Sequence, residues 1–284
     1  MFDSMERSLT VAGSIEEALA AKHRGAAVLA GGTWLMRDPR RGVNLPDVLV
    51  SLHALPALFT VEIEKDQVVI GASVTHAGLA RQLAGLNGFD AVVAAANGAA
   101  NPAIRRVATV GGNLCTFDFA AADLLPVFLA MNAVVELRSI GERQVLPIAE
   151  FLANRRVFLR DSILTSVILR RDVIASAHAR LPLRRAGDYP VAIVSAVRGH
   201  DGRVRIAVGS VEDVARRWIS LEAVLAIEPA SVSADPERMR ALAAQCVDFR
   251  GRDGIEADGW YRCQVLPTLV RRAIASLSAK ESVQ

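Results

Sequence analysis

The sequence is poor in cysteine, lysine and aromatic residues and holds no long apolar run, and each scarcity removes a class of protein. Its three cysteines, Cys115, Cys246 and Cys263, lie too far apart for a disulfide framework. No Cys-x-x-Cys spacing offers a zinc or iron-sulfur site, so a reducing compartment, the cytoplasm, is expected. Only Lys22, Lys65 and Lys280 are lysines among 33 basic residues, and aromatic residues make up 5% of the chain. With seven Arg-Arg pairs scattered from Arg40-Arg41 to Arg271-Arg272, no basic stripe with stacking rings forms, which speaks against nucleic acid. The dispersed arginines read instead as a solvated face and as contact surface for another protein. The longest apolar stretch, 124–131, is broken by Pro126 and is far shorter than the roughly 18 residues of a membrane span. Acids near the start, Asp3 and Glu6, and the lack of an apolar segment after them read against a secretory signal.

What the chain does have is a core. Its 284 residues are 52% hydrophobic and 22% charged, enough for two packed units rather than one. Ser14-Ile15-Glu16-Glu17 is a capping box opening a helix that Gly25 ends. Residues 26–30 form a buried strand ending in Gly31-Gly32, and 48–52 form a second. Residues 59–64 alternate and resume at 68–71, a hairpin, and 133–137 with 144–146 form another around Ile140-Gly141. Helices are expected at 74–83 and 91–99, and strands at 163–169, 191–197 and 204–208. Asp235-Pro236 starts a later helix, and Leu266, Leu269, Val270, Ala273, Ile274 and Leu277 trace a helical stripe.

Two glycine pairs stand out, Gly31-Gly32 and Gly111-Gly112. Neither belongs to a G-x-G-x-x-G or Walker A pattern. Paired glycines still let the backbone come close to a ligand and aim N–H groups at phosphate oxygens, although glycine is also the default residue of a plain bend.

The two pairs and their surroundings resemble the FAD-binding, or medium, subunit of molybdenum hydroxylases, the xanthine dehydrogenase and carbon monoxide dehydrogenase group. Val28-Leu29-Ala30-Gly31-Gly32-Thr33-Trp34-Leu35 matches that family's first flavin loop, and Ile70-Gly71-Ala72-Ser73-Val74-Thr75-His76 resembles its I-G-A-x-x-T segment. The run 101–114, ending Thr109-Val110-Gly111-Gly112-Asn113-Leu114, resembles its second loop, and Asp258-Gly259-Trp260-Tyr261-Arg262 its C-terminal Tyr-Arg signature.

The resemblance implies an α+β protein: a PCMH-type FAD-binding fold over 1–173, then a C-terminal domain over 174–284. The first would comprise a small parallel α/β subdomain, about 1–57, and a mixed five-stranded subdomain, 58–173. The second would carry a three-stranded antiparallel sheet with helices. It further implies noncovalent FAD, with residues 28–35 at the pyrophosphate and Thr109, Val110, Gly111, Gly112 and Asn113 against the ribityl chain and ring. Asp123 would accept from the flavin side, and Ile163 and Leu164 would pack near it. Read from the residues alone, Asp123 is also a candidate helix N-cap, and Ile163-Leu164 candidate core.

The implied activity is electron transfer from a separate [2Fe-2S] subunit to an external acceptor, in a heterotrimer or its dimer. The molybdopterin would lie in a large partner subunit, and no side chain of this chain would be catalytic. A free-standing flavin oxidoreductase and a flavin-free scaffold are the alternatives. The chain departs from the family pattern at two places. Asn113 to Asp123 is ten residues where nine are usual, making Asp118 a rival to Asp123 and placing Phe117 and Phe119 as a shield or as packing. The usual lysine is replaced by leucine near Leu181, leaving Arg180 or Arg184 as substitutes.

Overall fold

The computed structural model describes residues 7–183 and 188–281. Three sheets are built along the chain. β1 (Ser8–Val11) leads into α1 (Ile15–His23), which begins as the capping box dictates: the Ser14 hydroxyl accepts from the Glu17 amide. The Glu17 carboxylate reaches back one residue further than expected, to the Gly13 amide. β2 (Ala27–Leu29) and β3 (Val48–Ser51) complete a three-stranded parallel sheet in the order β1-β3-β2. Leu19 of α1 packs with Val50 and Leu52 in its core.

The hairpin β4 (Val61–Ile63) and β5 (Gln67–Gly71) follows as expected, then α2 (His76–Gln82) and α3 (Asp90–Gly98). Two short helices come next, α4 (Pro102–Arg105) and α5 (Val110–Cys115), then α6 (Leu124–Ala130), buried along its whole length. The hairpin β6 (Val134–Ser139) and β7 (Glu142–Pro147), the helices α7 (Ile148–Ala153) and α8 (Arg155–Asp161), and β8 (Ile163–Arg170) close the second sheet. Its order is β4-β5-β8-β6-β7, and all five strands pair antiparallel.

β9 (Val173–Pro182), β10 (Pro190–Gly199), β11 (Val204–Gly209) and the two-residue β12 (Arg216–Arg217) form the third sheet, antiparallel, in the order β12-β11-β10-β9. The sheet has four strands where the resemblance implies three, the two-residue β12 being added at its edge. Helices α9 (Ile219–Leu225), α10 (Ala230–Ala234), α11 (Pro236–Gln245), α12 (Gly259–Gln264) and α13 (Leu266–Glu281) finish the described chain. The stripe on α13, from Leu266 to Leu277, is buried against β9 and β10.

Every residue of β10 is buried because both faces of the sheet are covered, by α13 on one side and by α3 and α6 on the other. Strand alternation then sorts β9. Ala175, Ala177 and Ala179 enter the α13 core, whereas Ser176, His178 and Arg180 point toward α3 and α6.

Candidate functional site

Glycine brings the three motif segments into backbone contact. A Cβ on Gly31 would lie 1.8 Å from the Val107 carbonyl oxygen, so only glycine admits the second loop against the first. A Cβ on Gly111 would lie 2.9 Å from both the Ala72 carbonyl oxygen and its Cβ. The His76 amide donates to Ala108 O at 2.9 Å, Val110 N to Val74 O at 2.9 Å, and Gly111 N to Ala72 O at 2.7 Å. Residues 28–35, 70–76 and 101–114 therefore form one assembly.

The two glycine pairs differ in what they leave free. The second is not an open turn: Gly111 and Gly112 lie in the first turn of α5, capped by the Thr109 hydroxyl, and the amides of residues 110–113 all have protein acceptors. The first is a true turn after β2, with Gly32 at φ +67°. The amides of Gly31, Gly32, Thr33 and Trp34 donate to no acceptor among the described residues. These four residues are half-buried. Consecutive unpaired amides in such a loop fit an anionic oxygen cluster such as a pyrophosphate, and without one they remain unsatisfied.

Val28 packs on the small-sheet core, Leu29 O accepts from the Leu52 amide, Ala30 is exposed, and Leu35 opens the short 3-10 helix Leu35–Arg41. Trp34 stacks against Phe119 with ring centroids 4.5 Å apart, and Phe119 meets Tyr189 at 5.6 Å. Arg37 donates to the Tyr189 hydroxyl, and the Arg41 guanidinium lies 4.1 Å from the Trp34 ring. Phe119 of the ten-residue step thus packs on the first loop. Phe117 instead lies beneath Arg155 and Arg156.

Asp123 is buried, and its carboxylate does not cap α6. Asn113 Oδ1 takes the Leu124 amide at 3.3 Å, leaving Asp123 Oδ1 to accept from Arg180 Nε at 2.8 Å. Arg180 therefore stands against the aspartate, as the reading of a replaced lysine allows, while Arg184 lies outside the described residues. His178 Nε2 lies 3.9 Å from the same oxygen, and His178 Nδ1 contacts the Ser195 hydroxyl. Asp118, by contrast, is exposed at φ +55° and among the described residues pairs with Arg156, at 3.5 Å.

His76 closes the Ile70–His76 segment. It is buried, Thr75 supplies the cap, and neither ring nitrogen has a partner among the described residues. Burial pushes its pKa down to about 4, with Arg105 adding to that shift and Asp123 opposing it. Cys115 is held protonated, its thiol pushed up to about 12 by desolvation, so it is no thiolate nucleophile. Ile163 and Leu164 are both buried, Ile163 in the parallel-sheet core and Leu164 in the five-stranded one, so their alternation ties the two layers together. Arg262 of the Tyr-Arg signature is fully buried and donates to the carbonyls of Val191, Ser210 and Arg252 and to the Glu256 carboxylate.

Among the described residues no group of His, Cys, Asp and Glu is arranged to hold a metal, and no helix is long and apolar enough to cross a membrane. A half-buried loop of unpaired amides, clamped to a second loop, marks a protein able to hold an anionic ligand there. Residues 4–170 match the family described as the FAD binding domain in molybdopterin dehydrogenase, and the chain belongs to that family.

Several relatives match over nearly full length, two of which follow. The 6-hydroxypseudooxynicotine dehydrogenase complex subunit alpha of Paenarthrobacter nicotinovorans is 29% identical over 93% of this chain and 92% of its own. The xanthine dehydrogenase FAD-binding subunit of Escherichia coli O157:H7 is 26% identical over 98% of each. The fold is that of a chain in the CO dehydrogenase of Oligotropha carboxidovorans, with a TM-score of 0.85 at 21% identity over 96% of this chain and 98% of that one.

Proposed function

We propose that this chain is the FAD-binding electron-transfer subunit of a heteromeric molybdenum-containing hydroxylase or dehydrogenase. It would accept electrons from a [2Fe-2S] partner subunit and pass them to an external acceptor. The run of unpaired amides from Gly31 to Trp34, fixed by the Gly31–Val107 contact, carries the reading. In this reading residues 28–35 hold the FAD pyrophosphate without a covalent bond, and Thr109 to Asn113 present a satisfied, rigid backbone to the ribityl chain and ring. Asp123 is favoured over Asp118 as the carboxylate beside the cofactor, because Asp123 is buried and Asp118 is exposed. Ile163 and Leu164 supply the apolar floor.

FAD, when bound, supplies two-electron redox chemistry. The chain's own residues bind it, orient it and exclude water. The molybdopterin belongs to a large partner subunit, and the whole is a cytoplasmic heterotrimer or its dimer. The division near residue 173 is part of the same reading, supported by the chain passing there from the second sheet to the third.

The test is the visible spectrum of the purified full chain before and after acid precipitation. Bands near roughly 370 and 450 nm that pass to the supernatant are expected of a noncovalent flavin. Co-purification with an iron-sulfur protein that reduces the flavin would complete the case. A folded, colourless chain that takes up no added FAD would overturn it.

A further inference from the structure

A cavity of about 370 Å³ opens between α2, α3 and α4; its Pro102, Arg105 and Arg106 belong to the run 101–114 but precede the Thr109–Asn113 stretch assigned to the flavin. No residue of 28–35 or 109–113 lines it. Its polar wall is Arg81, Arg105, Arg106 and Asn97, its apolar wall is largely alanine with Val93 and Pro102, and no acid is present. Three arginines on the wall of one concavity, with no carboxylate among its lining residues, give it a positive potential that favours an anion.

Arg105 is held ready. Its Nη1 donates to the carbonyls of Ala99 and Ala100, at 3.2 and 2.7 Å, which leaves its other N–H groups available. The two carbonyls converge because Ala100 sits in the left-handed region at φ +47°, a conformation unfavourable for a residue with a Cβ. That unfavourable backbone fixes the two carbonyls that hold Arg105. Asn101 caps α4 and Pro102 opens it, so Arg105 and Arg106 leave a one-turn helix side by side. Arg81 and Arg106 have no acceptor among the described residues.

We propose that this cavity binds a small oxyanion-bearing molecule of at least two negative charges, a phosphorylated or polycarboxylate compound no larger than a mononucleotide. The guanidinium forks would engage its oxygens in pairs, the geometry in which arginine exceeds lysine. The volume lies at the small end of ligand pockets, which excludes a whole dinucleotide.

The probe is inorganic pyrophosphate, titrated calorimetrically into the FAD-loaded full chain at low salt. One equivalent is expected to bind, and the double variant Arg81→Gln with Arg106→Gln is expected to bind at least about tenfold more weakly. Flavin content and melting temperature should be unchanged in that variant. No binding, or equal binding by the variant, would overturn the proposal. So would binding by FAD-free protein alone with flavin lost from the variant, since the cavity would then belong to the FAD cradle. Flavin content is read separately in every sample, so a chain lacking flavin would refute the FAD reading and still leave this cavity open to the same titration.

Discussion

Arg180 Nε donates to Asp123 Oδ1 at 2.8 Å, joining β9 of the third sheet to the head of α6 behind the second loop. Both side chains are largely withdrawn from water, 13% and 5% exposed. Removing either partner of such a pair strands a buried charge at a cost of about 3–5 kcal/mol. Asp123→Ala and Arg180→Ala are each expected to destabilise by that order, and the double variant by less than their sum. A urea double-mutant cycle reads the coupling, and additive losses would show that the two act separately.

Gly31→Ala places a methyl group into the Val107 carbonyl. The expected result is a loss of about 1–3 kcal/mol by overpacking, with FAD retention falling alongside. Gly25→Ala is the control: it sits at φ +96° with nothing near its Cβ, so only the backbone term of about 1 kcal/mol applies and flavin content should hold. Thermal melts and flavin-to-protein ratios on both variants decide it.

His76 titrates at about 4 in the folded chain against an ordinary 6.5. Above pH 6.5 both states are neutral and its contribution is constant. Between pH 6.5 and 4 the unfolded chain takes up a proton that the folded chain resists, so stability falls as pH falls, by about 3 kcal/mol in total. His76→Leu removes that slope, and denaturation of both proteins at pH 7.5 and 4.5 should show the stability difference between them shifting toward the variant at low pH. Parallel pH profiles would contradict the burial of the ring.

Arg262→Lys is expected to destabilise almost as much as Arg262→Met. The ammonium cannot span the Val191, Ser210 and Arg252 carbonyls and Glu256 together. Unpaired buried acceptors cost about 1–3 kcal/mol each. A lysine variant that melts with the parent would mean that charge alone, rather than the fork, holds the loop.

Much of the scaffold was legible in the residues. The Ser14 cap of α1, the two hairpins of the middle sheet, the Asp235-Pro236 start of α11 and the apolar stripe of α13 follow local rules, and all of them form. β9 was missed because Val173–Pro182 carries Ser176, His178 and Arg180 on one face, a polarity that reads as loop. Those side chains are in the interior only because α3 and α6 supply partners distant in sequence, Ala91 N and Gly88 O for Ser176 and Asp123 for Arg180. Asp123 looked like an N-cap for a similar reason: nothing local reveals that Asn113 meets the Leu124 amide instead. Gly111-Gly112 read as a bend, since glycine pairs rarely open helices, and the Thr109 hydroxyl with the Ala72 carbonyl reverses that preference.

The backbone seat of Val107 on Gly31 also bears on how the two loops move. Main-chain atoms meet there, so no rotamer change can relax the contact, and the loops must part or stay together as one rigid piece. A ligand gripped by residues 31–34 would therefore slow hydrogen exchange at the amide of Ala108, which lies outside the residues assigned to the cofactor. The turn after the small parallel sheet thus stiffens the link between α4 and α5, a segment that belongs to no sheet.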